Sequence, residues 1–169
     1  GIIKDVIYYY FFMIEQINNF FSLEMIYLWL NIGVIPFWII LIFFPNTKIC
    51  QIFVTSIFPI FIFALIYGYL IIEIFKSEYN FLNNFNLYLG IDNLLILFDN
   101  KKFLIIFWIH FLSINFFCGS WIVKDSQRIG ITKILIFFPL LITYFIGPIG
   151  LLVYWIFRIL SAKRMSLFD

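Results

Sequence analysis

Four uncharged apolar runs constrain what this chain can fold into more than any other feature. They lie at 25–44, 52–72, 103–123 and 134–157, and none holds an Asp, Glu, Lys or Arg in its interior. About 20 apolar residues are enough to cross the hydrocarbon core of a bilayer. In lipid no water is present to bond the backbone, so each run must satisfy its own N–H and C=O groups as a helix. The expected fold class is an all-α integral membrane protein with four transmembrane helices, forming a single membrane domain over 1–169. The composition agrees: 64% of residues are hydrophobic, 24% aromatic and 12% charged, against about 25% charged in a soluble domain. Membrane lipid is therefore an expected partner. A net charge of +2 is too small to suggest nucleic acid. Gly1 at the start is taken as a processed or trimmed N-terminus, and no n-region and cleavage site of signal-peptide type is visible.

Two shorter segments have helical periodicity without the length to span. In 85–98, Leu87, Ile91, Leu94, Leu95 and Phe98 share one side, and Asn86, Asp92, Asn93 and Asp99 fall on the other. In 4–20, Lys4, Tyr8, Glu15 and Asn19 follow a helical stripe. Both are expected to be interfacial helices, although 4–20 could instead end a longer span. Pro36 lies inside the first run, and Gly147-Pro148 with Gly150 inside the fourth. Proline removes a donor and crowds the preceding turn, so both helices should kink or open locally, leaving free carbonyls and room for a ligand. The alternative is that Pro and Gly are simply common in membrane helices.

Four crossings would place both termini on one side. That side would carry Lys4, Lys76, Lys101, Lys102, Arg158, Lys163 and Arg164, and the other Lys48, Lys124, Arg128 and Lys133. Seven against four favours a cytoplasmic or stromal location for both termini.

No phosphate-cradling Gly loop, serine-histidine-acid order or row of intramembrane charges is present, which argues against a pump or channel. Cys50 and Cys118 lie in different runs, and two cysteines with one histidine make no recognisable zinc site. A disulfide within the bilayer is the less favoured use of the pair.

Polar groups in hydrocarbon usually face protein, ligand or water, and the stretch 108–128 collects them. Trp108, Asn115 and Gly119 fall on one stripe, and His110, Phe117 and Trp121 on another, nearly opposite. A helix with demanding groups on both sides is expected to be surrounded by the bundle, with Tyr144, Gly147 and Tyr154 packed nearby. His110 can donate one hydrogen bond, accept another and relay a proton. It could equally bond a neighbouring carbonyl, or ligate the magnesium of a chlorophyll. Asn115 could be interhelical glue. Trp108, Trp121 and Trp155 could be packing or belt residues, or could line a groove for a flat polyene. Asp125 with Arg128 suits a structural interfacial pair, and could also reach the polar end of a lipid-soluble substrate.

The ordered blocks support a resemblance. Trp108-Ile109-His110-Phe111-Leu112 is followed by Phe116-x-x-Gly119-Ser120-Trp121-Ile122, then Asp125-Ser126 and Arg128-x-Gly130-Ile131. Pro139, Thr143, Gly147-Pro148-x-Gly150-Leu151-Leu152-x-Tyr154 and Arg158 follow. Pro36-Phe37-Trp38 with Pro45, and Gly90-Ile91 with Leu97-Phe98, precede them. Over 23–160 the chain resembles the neoxanthin-synthase-like (abscisic-acid-deficient type) family of four-helix membrane proteins, and its Gly-Pro-x-Gly ending looks closer to bacterial or algal members than to the plant ones.

The resemblance implies a carotenoid role, in a thylakoid or other plastid membrane or a bacterial inner membrane. Its plant members are linked to opening a 5,6-epoxide of a xanthophyll to an alcohol while a proton leaves the polyene to form an allene. That isomerisation wants an acid at the epoxide oxygen and a base near the departing proton, and no redox cofactor. His110 matches the family's histidine and is the first candidate for proton transfer, with Asp125 as the second catalytic candidate. Asn115, Trp108, Trp121, Trp38 and Tyr144 are candidates for holding the substrate. The chain departs from the family at Asn115, where Asp is frequent, and an amide cannot act as a carboxylate base. The alternative function is a non-catalytic subunit binding carotenoid or chlorophyll within a larger photosynthetic membrane complex. An unrelated role in lipid binding or small-solute transport is the third reading.

Overall fold

The computed structural model describes residues 2–76, 85 and 88–163. Among these residues the structure is all helical: α1 (Ile2–Phe20), α2 (Leu23–Phe43), a π-helical turn (Cys50–Val54), α3 (Ile57–Lys76), α4 (Ile91–Asp99), α5 (Lys101–Ile129), α6 (Lys133–Phe145) and α7 (Gly147–Ala162). Asn86 and Leu87 of the expected 85–98 helix, and Arg164, lie outside the described residues.

Local chemistry marks the boundaries. The Ser22 hydroxyl accepts from the Met25 N–H and opens α2. The Asn100 side chain accepts from Lys102 and Phe103 N–H at 3.0 and 3.3 Å and opens α5. Gly130, at φ 75°, closes α5 in the left-handed conformation that glycine adopts without steric penalty. Pro36 sits inside α2 without ending it.

The expectation of four spanning helices is corrected here. Among the described residues, three helices, α2, α3 and α5, are long and apolar enough to cross a membrane. The fourth run breaks at Ile146 (φ −140°, ψ 79°) into helices of 13 and 16 residues. Pro148 is the reason a new helix can start there: proline lacks the N–H that a helix interior needs, but is well tolerated in a first turn.

Contacts along α6 and α7 show that the two helices double back. Near the end of α2, Phe43 packs on Phe137 of α6 with ring centroids 5.8 Å apart. Deeper along α2, Trp38 meets Tyr144 at 5.4 Å. At the break, Gly147 lies against Asn115 of α5. Tyr154 then meets Trp121 at 5.7 Å, and Arg158 reaches Asp125 at 2.7 Å. So α6 descends from the end marked by Pro45 and Gln127, and α7 climbs back to it, parallel to α5. Gly150 makes the hairpin possible, because a Cβ there would fall on the backbone and hydroxyl of Thr143. Arg158 consequently stands at the Arg128 end of the bundle. The four-crossing count had grouped it with Lys101 and Lys102.

The core is built on α5. Ile109, Leu112, Phe116, Gly119, Ile122 and Val123 are buried against α2, α3, α6 and α7. One stripe of the same helix is left outside: Phe107, His110, Ile114 and Phe117 are exposed at three- and four-residue spacing. The bundle therefore covers part of α5 rather than surrounding it. In α1 every side chain from Lys4 to Phe20 is exposed.

Candidate functional site

The candidate residues fall into three places, set by their level along the 29-residue α5. His110 and Asp125 are 15 positions apart, about 22 Å at 1.5 Å per residue, and cannot act on the same atoms.

His110 opens outward. It lines a cleft of about 200 Å³ between α3 and α5 with Ile60, Phe63, Ala64, Tyr67, Ile109 and Ser113. Ser113 follows His110 by one turn and so shares its face. An imidazole, a phenol and an aliphatic hydroxyl thus border one mostly apolar cleft, where proton donors and acceptors meet little competition from water. Trp108 precedes His110 by two residues, about half a turn, and so lies on nearly the opposite face. Its indole N–H donates to Asn31 Oδ1 at 3.3 Å, and Asn31 in turn donates to the Tyr27 carbonyl. Trp108 also stacks on Phe111 with centroids 5.1 Å apart.

On the opposite face of α3 an apolar groove runs beside α2. It consists of two cavities of about 450 and 220 Å³ that share Trp29 and Ile66. The smaller shares Phe63 with the His110 cleft. Gly33 borders it, with open space where a side chain would stand.

The hairpin tip brings Trp38, Asn115 and Tyr144 together. Trp38 is 3% exposed, meets Phe116 at 5.8 Å and Tyr144 at 5.4 Å edge-on, and fills the space beside Gly119. Asn115 is 4% exposed. Its oxygen abuts Gly147, and its Nδ2 has no hydrogen-bond partner among the described residues. A buried unsatisfied donor is worth roughly 1–3 kcal/mol of destabilisation. Asn115→Leu, similar in volume, is therefore expected to change unfolding stability by less than about 1 kcal/mol or to raise it. A loss larger than about 2 kcal/mol in detergent unfolding would mean that the amide serves a partner or ligand.

Asp125 occupies the third place, in a buried ionic cluster. Its carboxylate accepts from Arg128 at 2.6 Å, from the Tyr154 hydroxyl at 2.7 Å and from Arg158 Nε at 2.7 Å. The Asp125 and Arg158 side chains are 1% and 0% exposed. Trp155 lies under the Arg158 guanidinium, 5.6 Å from ring centroid to Cζ. Trp121 packs edge-on against Tyr154, so it helps enclose the cluster. The i,i+3 spacing of Asp125 and Arg128 was visible in the sequence. The share of Tyr154 and Arg158 was not, although their own i,i+4 spacing on an apolar helix was the available signal. Cys50 and Cys118 are free thiols.

Comparison with known proteins bears on the same residues. No curated protein and no solved structure matches the chain. A family model described as ABA DEFICIENT 4-like matches residues 25–154. That span takes in all but the first two residues of α2, then α3, the His110 cleft, the hairpin tip, Asp125 and Tyr154, and stops short of Arg158. Covering more than half of the sequence, the match establishes that this chain belongs to the ABA DEFICIENT 4-like family.

Proposed function

We propose that this protein binds a xanthophyll and isomerises its epoxide end group by proton transfer at His110. Family membership indicates a carotenoid-related membrane protein. The observation that carries the finer reading is the cleft of His110, Tyr67 and Ser113, which is open to the apolar surroundings of the bundle. A lipid-soluble substrate can reach it laterally, and the exposed stripe of Phe107, Ile114 and Phe117 beside His110 offers apolar wall for the rest of a long polyene. In this reading the neutral imidazole takes the proton that leaves the polyene carbon. A hydroxyl of Tyr67 or Ser113 donates to the epoxide oxygen as the C–O bond opens. The electrons of the broken C–H bond become the new allenic double bond. The imidazolium then returns its proton to the hydroxyl oxygen that gave one up, so atoms and charge balance; no oxidant or reductant is consumed, and the reaction requires no cofactor.

His110→Ala in lipid nanodiscs supplied with an epoxy-xanthophyll is expected to lower turnover about 10²–10⁴-fold, the usual range for removing a general acid or base, while bound pigment is retained. Unchanged turnover would remove His110 from the chemistry.

A second reading is favoured by the carboxylates. Asp125 is engaged by Arg128, Tyr154 and Arg158, and Asn115 is an amide that cannot act as a carboxylate base. These features suit a non-catalytic subunit that holds carotenoid or chlorophyll within a larger membrane complex. Pigment that co-purifies in mild detergent with other polypeptides, with no turnover by the unaltered protein, selects this reading.

A further inference from the structure

We propose that the end of the bundle carrying Lys48, Lys124, Lys133 and Lys163 docks on the anionic phospholipid headgroups of one leaflet. The proposal follows from the hairpin and does not depend on any catalytic role. Because α7 returns beside α5, Arg158 and Lys163 join Lys48, Lys124, Arg128 and Lys133 at one end. Lys48 is placed there by Gln127, whose amide donates to the Pro45 carbonyl at 2.8 Å. The described acid at this end is Asp125, and it is already held by two arginines. Lys48, Lys124, Lys133 and Lys163 are all exposed, and no ion pair engages them among the described residues.

The other end is different in kind. Glu24, Asp92 and Asp99 are exposed there, and its lysines are partly neutralised: Lys101 pairs with Glu24 at 3.6 Å and Lys76 with Glu73 at 2.9 Å. The basic residues lie near the ends of α2 and α5, two helices long and apolar enough to cross a membrane, which is where a spanning helix would meet headgroups. A cluster of four or more cations beside a membrane helix attracts anionic lipid, by about 1 kcal/mol for each Lys or Arg near the surface. Loops rich in Lys and Arg also stay on the cytoplasmic side. The basic end therefore faces that side, and the start of α2 faces the other.

The full chain, reconstituted in vesicles of phosphatidylcholine mixed with phosphatidylglycerol and then extracted, is probed by native mass spectrometry for retained lipid. Phosphatidylglycerol is expected to be enriched over phosphatidylcholine by about tenfold or more, and the enrichment should weaken with salt. Combining Lys48→Gln, Lys124→Gln, Lys133→Gln and Lys163→Gln should abolish it while leaving unfolding in phosphatidylcholine unchanged. Equal retention of the two lipids, or enrichment that survives all four substitutions, overturns the proposal. So does an acidic protein, rather than lipid, being what the lysines hold. A second arm tests the geometry: with Cys50 and Cys118 replaced by Ser, Glu24→Cys and Lys163→Cys should label from opposite sides of oriented vesicles. Labelling from the same side would restore the four-crossing arrangement and overturn it equally.

Discussion

Asp125→Leu is expected to destabilise the protein by about 3–5 kcal/mol, the range for removing one partner of a buried ion pair. The carboxylate holds three groups at once, two of them on a helix that begins 22 residues later in the chain. Arg158 is fully buried and loses its counterion when Asp125 goes. A buried guanidinium without its carboxylate carries a desolvation penalty that the Trp155 ring only partly offsets. Tyr154→Phe removes a single hydrogen bond and should lower stability by about 1 kcal/mol. Asp125→Leu combined with Arg158→Met should recover much of the loss, because an apolar pair of similar volume often replaces a buried ion pair without penalty. Unfolding in detergent, followed by circular dichroism, checks all three. An effect of Asp125→Leu below about 1 kcal/mol, as for an exposed pair, would show that the cluster is not what fastens α7 to α5. A structural effect of this size also separates Asp125 from His110, whose removal should spare stability and change turnover.

Gly150→Val is expected to open the hairpin. Overpacking against movable side chains destabilises by about 1–3 kcal/mol, and here the obstacle is the Thr143 backbone, which cannot rotate aside. Gly147→Ala should be milder, because what it meets is the Asn115 side chain. Gly68→Ala supplies the contrast. Gly68 lies within α3 and has open space around it, so alanine there should stabilise by up to about 1 kcal/mol through helix propensity. Melting temperatures should thus rank Gly68→Ala above the unaltered protein, and Gly150→Val lowest. A tolerated Gly150→Val would mean that α6 and α7 do not pack as closely as Thr143 and Gly150 do here.

Much of the helical content was legible in the chain because its causes are local. A bilayer-length apolar run has to bond its own backbone whatever its neighbours are, and this placed the helices corresponding to α2, α3 and α5. The caps at Ser22, Asn100 and Gly130 are equally local. Family membership was legible as well, through ordered blocks such as Trp108–Leu112 and Gly147–Tyr154, which lie within the matched residues 25–154. The break at Gly147-Pro148 was visible too, as the place where a helix must kink or open.

What the chain alone left open was the direction taken after that break. A kinked crossing and a hairpin share the same hydropathy profile. The choice is made by contacts between residues distant in sequence: Asp125 with Arg158, 33 positions apart, Trp38 with Tyr144, and Asn115 with Gly147. The close approach of Gly150 to Thr143 completes it. The same holds for His110. Its spacing put it on a stripe of α5, but only the placement of α3 turned that stripe outward and set Tyr67 beside it. Sequence determined which segments are helices because hydrogen bonding and burial in hydrocarbon act over a few turns. Tertiary structure decided which ends meet, because ion pairs and close backbone packing act between elements that sequence order does not bring together.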